Sequence, residues 1–362
     1  MLKESTVLLR EKIFETICKF DLEILLDISI DLKHKIIPSR LQPIYNNKFS
    51  YFGWWELNDY NNEWFSRFLI AKLFEYKEFN IRFYSLFQNY NLIKDDCKNY
   101  NGKKIFYSGE NITAYIAHKD IKINNFRSLY MKNREIRLYS DYLINDVDLS
   151  MGYDYINNNK YLRFPLWILQ GNLFPAESKY SDIKKIVDNI NSSRSSGLED
   201  CISINSHDAF GLRTKIANDL NGTFNITYAG KWRNNTADLW KKYENDKLKY
   251  MNLFKFNICP ENMDAPHYCT EKIFDSFRAG CIPIYAGALN NPEPDVINKN
   301  AVIFWDLDGD NMENIKLIKR LNSDEAYYNK FIQQKKLLPY AAEYVYDRFN
   351  KLEDKMKELL EY

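Results

Sequence analysis

The sequence predicts an α/β protein with parallel β-sheets in two domains. The chain has 362 residues, which is too long for one ordinary core and about right for two domains of roughly 100–200 residues each. From Phe49 onward, short β-prone runs alternate with helical patterns, and this alternation indicates βαβ units. A polar stretch between Pro175 and Gly197 indicates a linker between the two halves.

Composition excludes several classes of protein. Lys and Arg total 50 against 49 Asp and Glu, so bulk charge gives no reason to expect a nucleic-acid partner. Hydrophobic residues make up 45% of the chain, which excludes general disorder. No apolar run approaches the roughly 20 residues that span a bilayer, and the N-terminus lacks the sections of a signal peptide. We therefore expect a cytoplasmic protein, with at most peripheral association at the inner face of the membrane.

Cysteine and histidine give no sign of a metal site. The six cysteines, at positions 18, 97, 201, 259, 269 and 281, show no Cys-x-x-Cys spacing. In a chain expected to be intracellular we interpret them as reduced residues that pack as small apolar side chains. The four histidines are isolated in the sequence, which supports neither a zinc site nor a cysteine–histidine nucleophile.

The N-terminal domain is predicted to cover residues 1–172. Residues 1–45 alternate polar and apolar residues at helical spacing and form an extension to which we assign no role. Lys104–Ser108 is a predicted strand that ends in Gly109-Glu110-Asn111, and Ser140–Ile144 and Tyr161–Phe164 are further predicted strand pieces. A linker over 173–200 follows.

The C-terminal domain, predicted over 201–340, has the clearest alternation of strands and helices. Its predicted strands are Cys201–Ile204, Phe224–Tyr228, Phe254–Cys259, Cys281–Tyr285 and Ala301–Trp305. Its predicted helices are Leu212–Leu220, Ala237–Leu253 and Thr270–Ala279, the last with Thr270 as N-cap and Gly280 as its stop.

A final helix is expected over residues 341–362. Leu352, Met356, Leu359 and Leu360 fall on one of its faces, so it should pack back on the protein.

Ligands of parallel sheets bind beyond the carboxyl ends of the strands, where loops lead into helices. A helix that begins at Thr270 offers N–H groups and a positive dipole end to an anion. Lys272 in its first turn breaks the usual preference for acids there, which makes sense beside a phosphate. Glu271 can accept two hydrogen bonds from a ribose diol. The alternative is that Glu271 is an ordinary first-turn acid and Lys272 a solvated surface charge.

Two further residues lie in such loops. Arg213 stands near the start of the helix after Cys201–Ile204, and its planar guanidinium suits a pyrophosphate. The alternative is an ordinary surface arginine. Glu110 belongs either to a cleft-facing loop or to a solvated turn. No Gly-x-Gly-x-x-Gly or Walker-type loop occurs, which counts against a dehydrogenase or a P-loop kinase.

Asp306-Leu-Asp308-Gly-Asp310 resembles the Asp-x-Asp pair by which some enzymes hold manganese. It follows a predicted strand directly, where acidic turn residues are common. We therefore interpret this segment as a turn and expect no metal site.

Three segments together resemble the signature block of the α1,3/α1,4-fucosyltransferase family: Phe254-Lys-Phe-Asn-Ile-Cys-Pro-Glu-Asn262, Tyr268-Cys-Thr-Glu-Lys-Ile-Phe-Asp275 and Ala279-Gly-Cys-Ile-Pro-Ile-Tyr-Ala-Gly287. Weaker similarities extend over most of residues 50–340, at Trp54-Trp55, Phe106–Asn111, Tyr161–Pro165 and Leu212-Arg213.

The resemblance implies a GT-B glycosyltransferase in which two Rossmann-like domains face a cleft. It implies an inverting transfer of fucose from GDP-fucose to a hydroxyl of a glycan acceptor, in an α1,3-type linkage and without an essential metal or cofactor. Each predicted site residue matches a family position: Glu110 the general base, Arg213 and Lys272 the diphosphate ligands, Glu271 the ribose contact, Asn262 and Tyr268 the nucleotide lining, and Glu261 a pocket carboxylate with no assigned role.

Two alternatives remain open at this stage. One is transfer from another GDP-deoxyhexose or GDP-heptose in capsule or lipopolysaccharide synthesis, because the signature block relates to GDP more than to the sugar. The other is a nucleotide- or carbohydrate-binding module without turnover, against which the presence of Glu110, Arg213, Glu271 and Lys272 argues.

Overall fold

The computed structural model describes residues 44–45, 49–55, 59–73, 80–113, 118–119 and 135–361. The helical extension expected over residues 1–45 lies outside this part of the chain up to residue 43. The described residues form two α/β units, each built on a largely parallel sheet.

The N-terminal sheet has six strands in the order β1-β2-β3-β4-β5-β6. β1 (Ile44–Tyr45) is antiparallel to β2 (Phe49–Phe52), and the remaining neighbours are parallel. The other strands are β3 (Ile81–Tyr84), β4 (Lys103–Tyr107), β5 (Leu149–Gly152) and β6 (Tyr161–Arg163). Helices α1 (Trp64–Leu73), α2 (Tyr90–Asn99) and the single turn α3 (Glu135–Leu138) accompany them.

One predicted strand of this domain is wrong. The segment expected as a strand over 140–144 is a run of tight turns in which Tyr142 and Leu143 have φ of 54° and 49°. Both side chains are buried in an apolar cluster with Tyr139 and Phe106. The β-prone side chains reflect burial in this cluster rather than pairing in a sheet.

The C-terminal sheet has the order β11-β10-β9-β7-β8 and is parallel throughout. Its strands are β7 (Glu199–Ser203), β8 (Ile226–Tyr228), β9 (Phe254–Ile258), β10 (Ile282–Tyr285) and β11 (Ile303–Phe304). β7 pairs with β8 on one side and β9 on the other, so the connections leave in opposite directions. This is the topological switch point at which such sheets bind ligands.

The helices in and around the C-terminal sheet begin with α4 (Tyr180–Ser192), which occupies the predicted linker. Ile183, Val187 and Ile190 bury one face of α4, so the polar segment is an amphipathic helix rather than an open connection. The others are α5 (Leu212–Asp219), α6 (Asp238–Lys241), α7 (Lys247–Met251), α8 (Glu271–Ala279), α9 (Met312–Ser323), α10 (Glu325–Ile332) and α11 (Ala341–Leu359).

The predicted helix Ala237–Leu253 is in fact broken into α6 and α7. Glu244 and Asn245 have φ of 50° and 64°, which no α-helix accommodates. Asp246 then starts α7 as its N-cap by accepting a hydrogen bond from the Lys249 N–H at 3.0 Å.

One large apolar cluster extends through both domains. Trp167 of the N-terminal domain stacks on Phe274 of α8 with ring centroids 4.4 Å apart. From α11, Phe349 packs edge-on against Trp64 of α1 at 5.3 Å, while Leu352 and Met356 are fully buried. Within the described ranges, no helix combines the length and the apolarity needed to cross a bilayer.

Candidate active site

A cavity of about 400 Å³ opens at the switch point of the C-terminal sheet. The loops after β7 and β9 line it with Asn205, His207 and Asn262, and α5 and α8 contribute Arg213, Glu271, Lys272 and Asp275. The predicted residues Arg213, Asn262, Glu271 and Lys272, which are far apart in sequence, therefore meet around one cavity.

Arg213 is held at this cavity as a buried cation. Its side chain donates to the Asn262 Oδ1 at 2.8 Å and to the backbone carbonyl of His207, and the residue is 3% exposed. Burial lowers the pKa of the Arg213 guanidinium, and the charges of Asp208 and Glu261 oppose this effect. The Nε of Arg213 is buried without a hydrogen-bond partner in the described part of the chain. An unused donor on a buried cation suits an anionic ligand.

Glu261 is a fully buried carboxylate that organises the start of α8. It accepts hydrogen bonds from the Thr270 N–H at 2.8 Å, the Thr270 hydroxyl at 2.7 Å, the Lys272 Nζ at 3.1 Å and the Tyr285 hydroxyl at 3.2 Å. Both carboxylate oxygens are thus engaged, which gives the predicted pocket carboxylate a structural role behind the cavity wall.

Thr270 occupies the predicted N-cap position of α8 but does not cap the helix with its side chain. Its hydroxyl instead donates to Glu261 and accepts from the Lys272 Nζ at 2.7 Å. Among the described side chains none therefore acts as the N-cap acceptor of α8, whose N-terminus keeps its capacity to bind an anion.

The ammonium of Lys272 is fixed in its charged form. Burial acts to lower the pKa of Lys272, but the charges of Glu261 and Glu271 outweigh it and the pKa lies above its ordinary value. The Lys272 Nζ is 3.8 Å from the Glu271 carboxylate, whose side chain is 26% exposed at the cavity wall. A solvent-accessible carboxylate beside a fixed cation can contact a diol next to a phosphate.

Glu110 belongs to the other domain and is outside the described cavity lining, but it interacts electrostatically with Lys272 and Glu271. It follows β4, and its Oε2 accepts a hydrogen bond from the Tyr268 hydroxyl at 3.5 Å. Burial raises the pKa of Glu110, and the charge of Lys272 partly offsets this rise. A carboxylate with a raised pKa is suited to take a proton near neutral pH.

Tyr268 lies at the domain interface rather than along the cavity. It is 1% exposed, and its ring packs against that of Tyr153 with centroids 5.3 Å apart. Neither Tyr268 nor Glu261 is among the described residues that line the cavity. Tyr268 and Glu261 lie close in sequence to residues that line the cavity, and the sequence alone does not show whether such a residue is in the cavity wall or behind it.

The segment Asp306–Asp310 is the predicted acidic turn. The Asp306 Oδ1 accepts from the N–H groups of Asp308 and Gly309, both at 2.9 Å. The Asp308 carboxylate contacts His118 Nδ1 at 3.1 Å and accepts from the Lys119 N–H at 2.7 Å. Across the residues that the structure describes, no cluster of three or more His, Cys, Asp or Glu side chains is placed to hold a metal.

Most of the lining residues were missed from the sequence. Among them are Trp240, Lys247 and Asp275. The predicted continuous helix over 237–253 concealed the first two. The consecutive turn-favouring residues Asn245 and Asp246, at the break that follows Glu244, were the available signal.

Comparison with solved structures defines the class of the fold. An α1,3-fucosyltransferase structure superposes with a TM-score of 0.57 and 18% identity, covering 90% of this chain and 94% of that one. A structure of α1,3-fucosyltransferase with GDP gives 0.55 and 19% over the same shares. The fold is therefore that of a GT-B glycosyltransferase.

Sequence comparison identifies proteins to which parts of the chain are similar. Residues 198–356, less than half of the chain, match the family model of the glycosyltransferase family 10 (fucosyltransferase) C-terminal domain. An alpha-(1,3)-fucosyltransferase of Helicobacter pylori is 27% identical over 194 residues, 52% of this chain and 38% of that protein. An alpha-(1,4)-fucosyltransferase of Arabidopsis thaliana is 33% identical over 81 residues, 22% of this chain and 20% of that protein. These alignments thus span less than half the length of either relative.

Proposed function

We propose that this chain is an inverting fucosyltransferase that moves fucose from GDP-fucose to a hydroxyl of a glycan acceptor in an α1,3-type linkage. The observation that carries the proposal is the convergence of two fixed cations, Arg213 and Lys272, on one cavity that Glu110 approaches from the opposite domain. The α1,3- and α1,4-fucosyltransferases among its relatives support the transfer, and the neighbour solved with GDP supports the nucleotide.

The donor diphosphate would lie between Arg213, Lys272 and the N-terminus of α8. The guanidinium of Arg213 and the ammonium of Lys272 each supply a charge-assisted hydrogen bond to its oxygens. Glu271, beside Lys272, accepts hydrogen bonds from the ribose hydroxyls. Asn262 orients the guanidinium of Arg213 and so contributes through that residue.

Transfer then needs one proton acceptor and one stabilised leaving group. The acceptor hydroxyl oxygen attacks the anomeric carbon of fucose while the bond from that carbon to the diphosphate oxygen breaks. The proton of the acceptor hydroxyl passes to the carboxylate of Glu110. The charge that develops on GDP is met by Arg213, Lys272 and the dipole of α8, so we propose that no metal ion takes part.

A matrix of donors and acceptors, read by GDP release and by analysis of the product, tests this function. We expect release with GDP-fucose and a glycan acceptor, an inverted configuration at the anomeric carbon, and equal rates with and without EDTA. Release with a GDP-heptose or another GDP-deoxyhexose alone would assign the chain to that donor instead. Binding of GDP without release for any pair would indicate a binding module.

A further inference from the structure

We propose that His118 is a positioning residue of the transfer reaction and that it acts only in its protonated form. In that form its imidazolium is held between Asp264 and Asp308 of the C-terminal domain, an arrangement that we call the imidazole clamp. The inference rests on the proposed function, because it gives His118 an effect on the proton transfer to Glu110.

His118 connects the two domains. It lies between β4 and β5 of the N-terminal domain, yet its side chain is only 7% exposed and contacts the C-terminal domain. Its Nε2 is 3.0 Å from Oδ2 of Asp264, in the loop after β9, as a close ion pair rather than an aligned hydrogen bond. Its Nδ1 is hydrogen-bonded at 3.1 Å to Oδ2 of Asp308, in the turn after β11. One imidazole therefore joins the N-terminal domain to two loops at the carboxyl edge of the C-terminal sheet.

The clamp needs a proton on both ring nitrogens. A neutral imidazole carries one N–H, so its second nitrogen would present a lone pair to a carboxylate oxygen. The remaining oxygens are already occupied, since Asp264 Oδ1 accepts from the Leu289 N–H at 2.8 Å and Asp308 Oδ1 accepts from the Lys119 N–H at 2.7 Å. Both carboxylates are thus oriented by the backbone and cannot turn away from a neutral ring without losing these bonds.

The charges around His118 favour its cation. Among the described residues, Asp264 and Asp308 are the ionisable groups in contact with its ring, and Lys119 is its charged neighbour in the chain. The hydrogen bond with His118 lowers the pKa of Asp308. Burial raises the pKa of Asp264, which the Leu289 N–H and the charge of His118 partly offset. Because histidine changes its charge between about pH 5 and 8, the clamp forms on the acid side of this titration and is lost on the alkaline side.

The clamp lies beside the contacts of the proposed base. Asn111, which follows Glu110, donates from Nδ2 to the Met263 Sδ at 3.9 Å, and Met263 directly precedes Asp264. Tyr268, further along the same loop, donates to the Glu110 Oε2 at 3.5 Å. The clamp therefore fastens the segment after Glu110 to the loop against which Glu110 itself is held.

Two ionisations should then limit turnover in opposite directions. At low pH the carboxylate of Glu110 is protonated, and at high pH the clamp is lost. Loss of a charge-assisted contact should lower kcat by about ten- to a hundredfold. GDP affinity should not follow this change, because neither His118 nor its two carboxylate partners belong to the described cavity lining.

The test compares wild type with Asp308→Asn, His118→Gln and a matched control, Asp310→Asn. Asp310 belongs to the same acidic turn, but its Oδ1 accepts from the Met312 N–H at 2.9 Å and it is not among the described contacts of His118. Nitrogen NMR of protein labelled with ¹⁵N-histidine follows the protonation of His118, whose signal is the one missing from His118→Gln. Steady-state kinetics over a range of pH and calorimetry with GDP complete the comparison.

The variants should separate the clamp from general effects on folding. We expect Asp308→Asn to move the His118 titration and the alkaline limb of turnover to lower pH by the same amount, because it removes one of the charges that favour the cation. His118→Gln should lack the alkaline limb and have a kcat about ten- to a hundredfold below the wild-type maximum, with unchanged GDP affinity. Asp310→Asn should match wild type in both titration and rate.

Two results would overturn the clamp. In the first, His118 carries a proton on only one nitrogen at the pH of maximal turnover. In the second, Asp308→Asn moves the His118 titration but leaves the alkaline limb in place, which would mean that His118 does not act on the reaction. A wild-type protein without turnover would instead contradict the proposed function, and the NMR comparison would still decide whether the clamp forms.

Discussion

Glu110 is the residue on which the proposed chemistry depends. Glu110→Gln keeps the shape of the side chain but cannot accept a proton, so turnover should fall about 10²- to 10⁴-fold. GDP affinity should stay nearly unchanged, because Glu110 belongs to the opposite domain from Arg213 and Lys272. Steady-state kinetics and GDP calorimetry check the two expectations, with Glu325→Gln on an exposed helix start as control.

The pH dependence of the reaction provides a second measure of Glu110. The active form is the carboxylate, so the rate should fall as the pH drops through the pKa of Glu110. Burial raises that pKa, so the acid limb should lie above the range of an ordinary glutamate. The limb should be absent from Glu110→Gln. If this variant turned over within a fewfold of wild type, Glu110 would not be the base, and the accessible Glu271 would be the next candidate.

The paired cations should act on binding. Arg213→Ala and Lys272→Ala should each weaken GDP binding about ten- to a hundredfold, since each removes a charge-assisted hydrogen bond. Lys272→Ala should also lower the melting temperature, because it removes the cation that contacts the buried Glu261. Calorimetry in EDTA and thermal unfolding measure both effects, and Lys299→Ala on the surface is the control. Unchanged GDP affinity in both variants would place the diphosphate elsewhere.

Glu63 makes stability depend on pH although it takes no part in the site. Burial raises its pKa to about 7, against the hydrogen bonds from the Phe65 and Ser66 N–H groups that favour the charged form. The folded protein therefore keeps a proton that the unfolded chain releases near its ordinary pKa of 4.5. The resulting stabilisation is fully present below that value and is lost as the pH rises through about 7.

Glu63→Gln should remove this contribution, which is on the order of 3 kcal/mol. Urea unfolding at pH 5 and pH 8 measures it as the change between wild type and variant. The wild type should lose more stability than Glu63→Gln between the two pH values, and parallel losses would show that Glu63 is ionised in the folded protein throughout.

At the scale of elements, sequence patterns predicted the helices and strands that depend on neighbouring residues. They failed for elements whose bounds depend on contacts between residues far apart in the sequence. The helix ending at Gly280 was predictable because a left-handed C-terminal residue, here with φ of 81°, favours glycine. The amphipathic helix over 180–192 was predicted as a linker because most of its residues are polar. The break between α6 and α7 lets Leu239 and Met251 pack into one apolar cluster. Glu261 accepts a hydrogen bond from Tyr285, and this contact cannot be predicted from the spacing of the two residues in the sequence.

The helix α11 should contribute measurably to stability. Leu352 is fully buried on it, so Leu352→Ala should lower the free energy of unfolding by about 2–5 kcal/mol. The neighbouring Lys351→Ala should change it by less than about 0.5 kcal/mol, because its side chain is exposed. Deletion of 352–362 should lower the melting temperature further. A deletion that left the melting temperature unchanged but released the protein from membranes would contradict the packing role.

At the scale of the whole molecule, a buried ion pair joins the two domains. Arg163 at the end of β6 donates to the Glu293 Oε1 at 2.6 Å, and both side chains are almost completely buried. Glu293→Gln leaves the guanidinium without its counter-charge, which should cost about 3–5 kcal/mol in urea unfolding. The double variant Arg163→Met, Glu293→Gln should recover part of this loss. A single variant as stable as wild type would show that the pair is not maintained.

The chain passes between the domains twice, and the two crossings lie side by side. α4 leads into the C-terminal domain and α11 leads back, and the Tyr180 hydroxyl on α4 donates to the Glu343 Oε1 on α11 at 2.6 Å. Two domains that are joined at two adjacent points can rotate about the line through those points, whereas the two connections oppose sliding and twisting. A rotation about these two crossings would move Glu110 toward or away from Arg213 and Lys272 along one path, against the apolar cluster and the Arg163–Glu293 ion pair that join the domains.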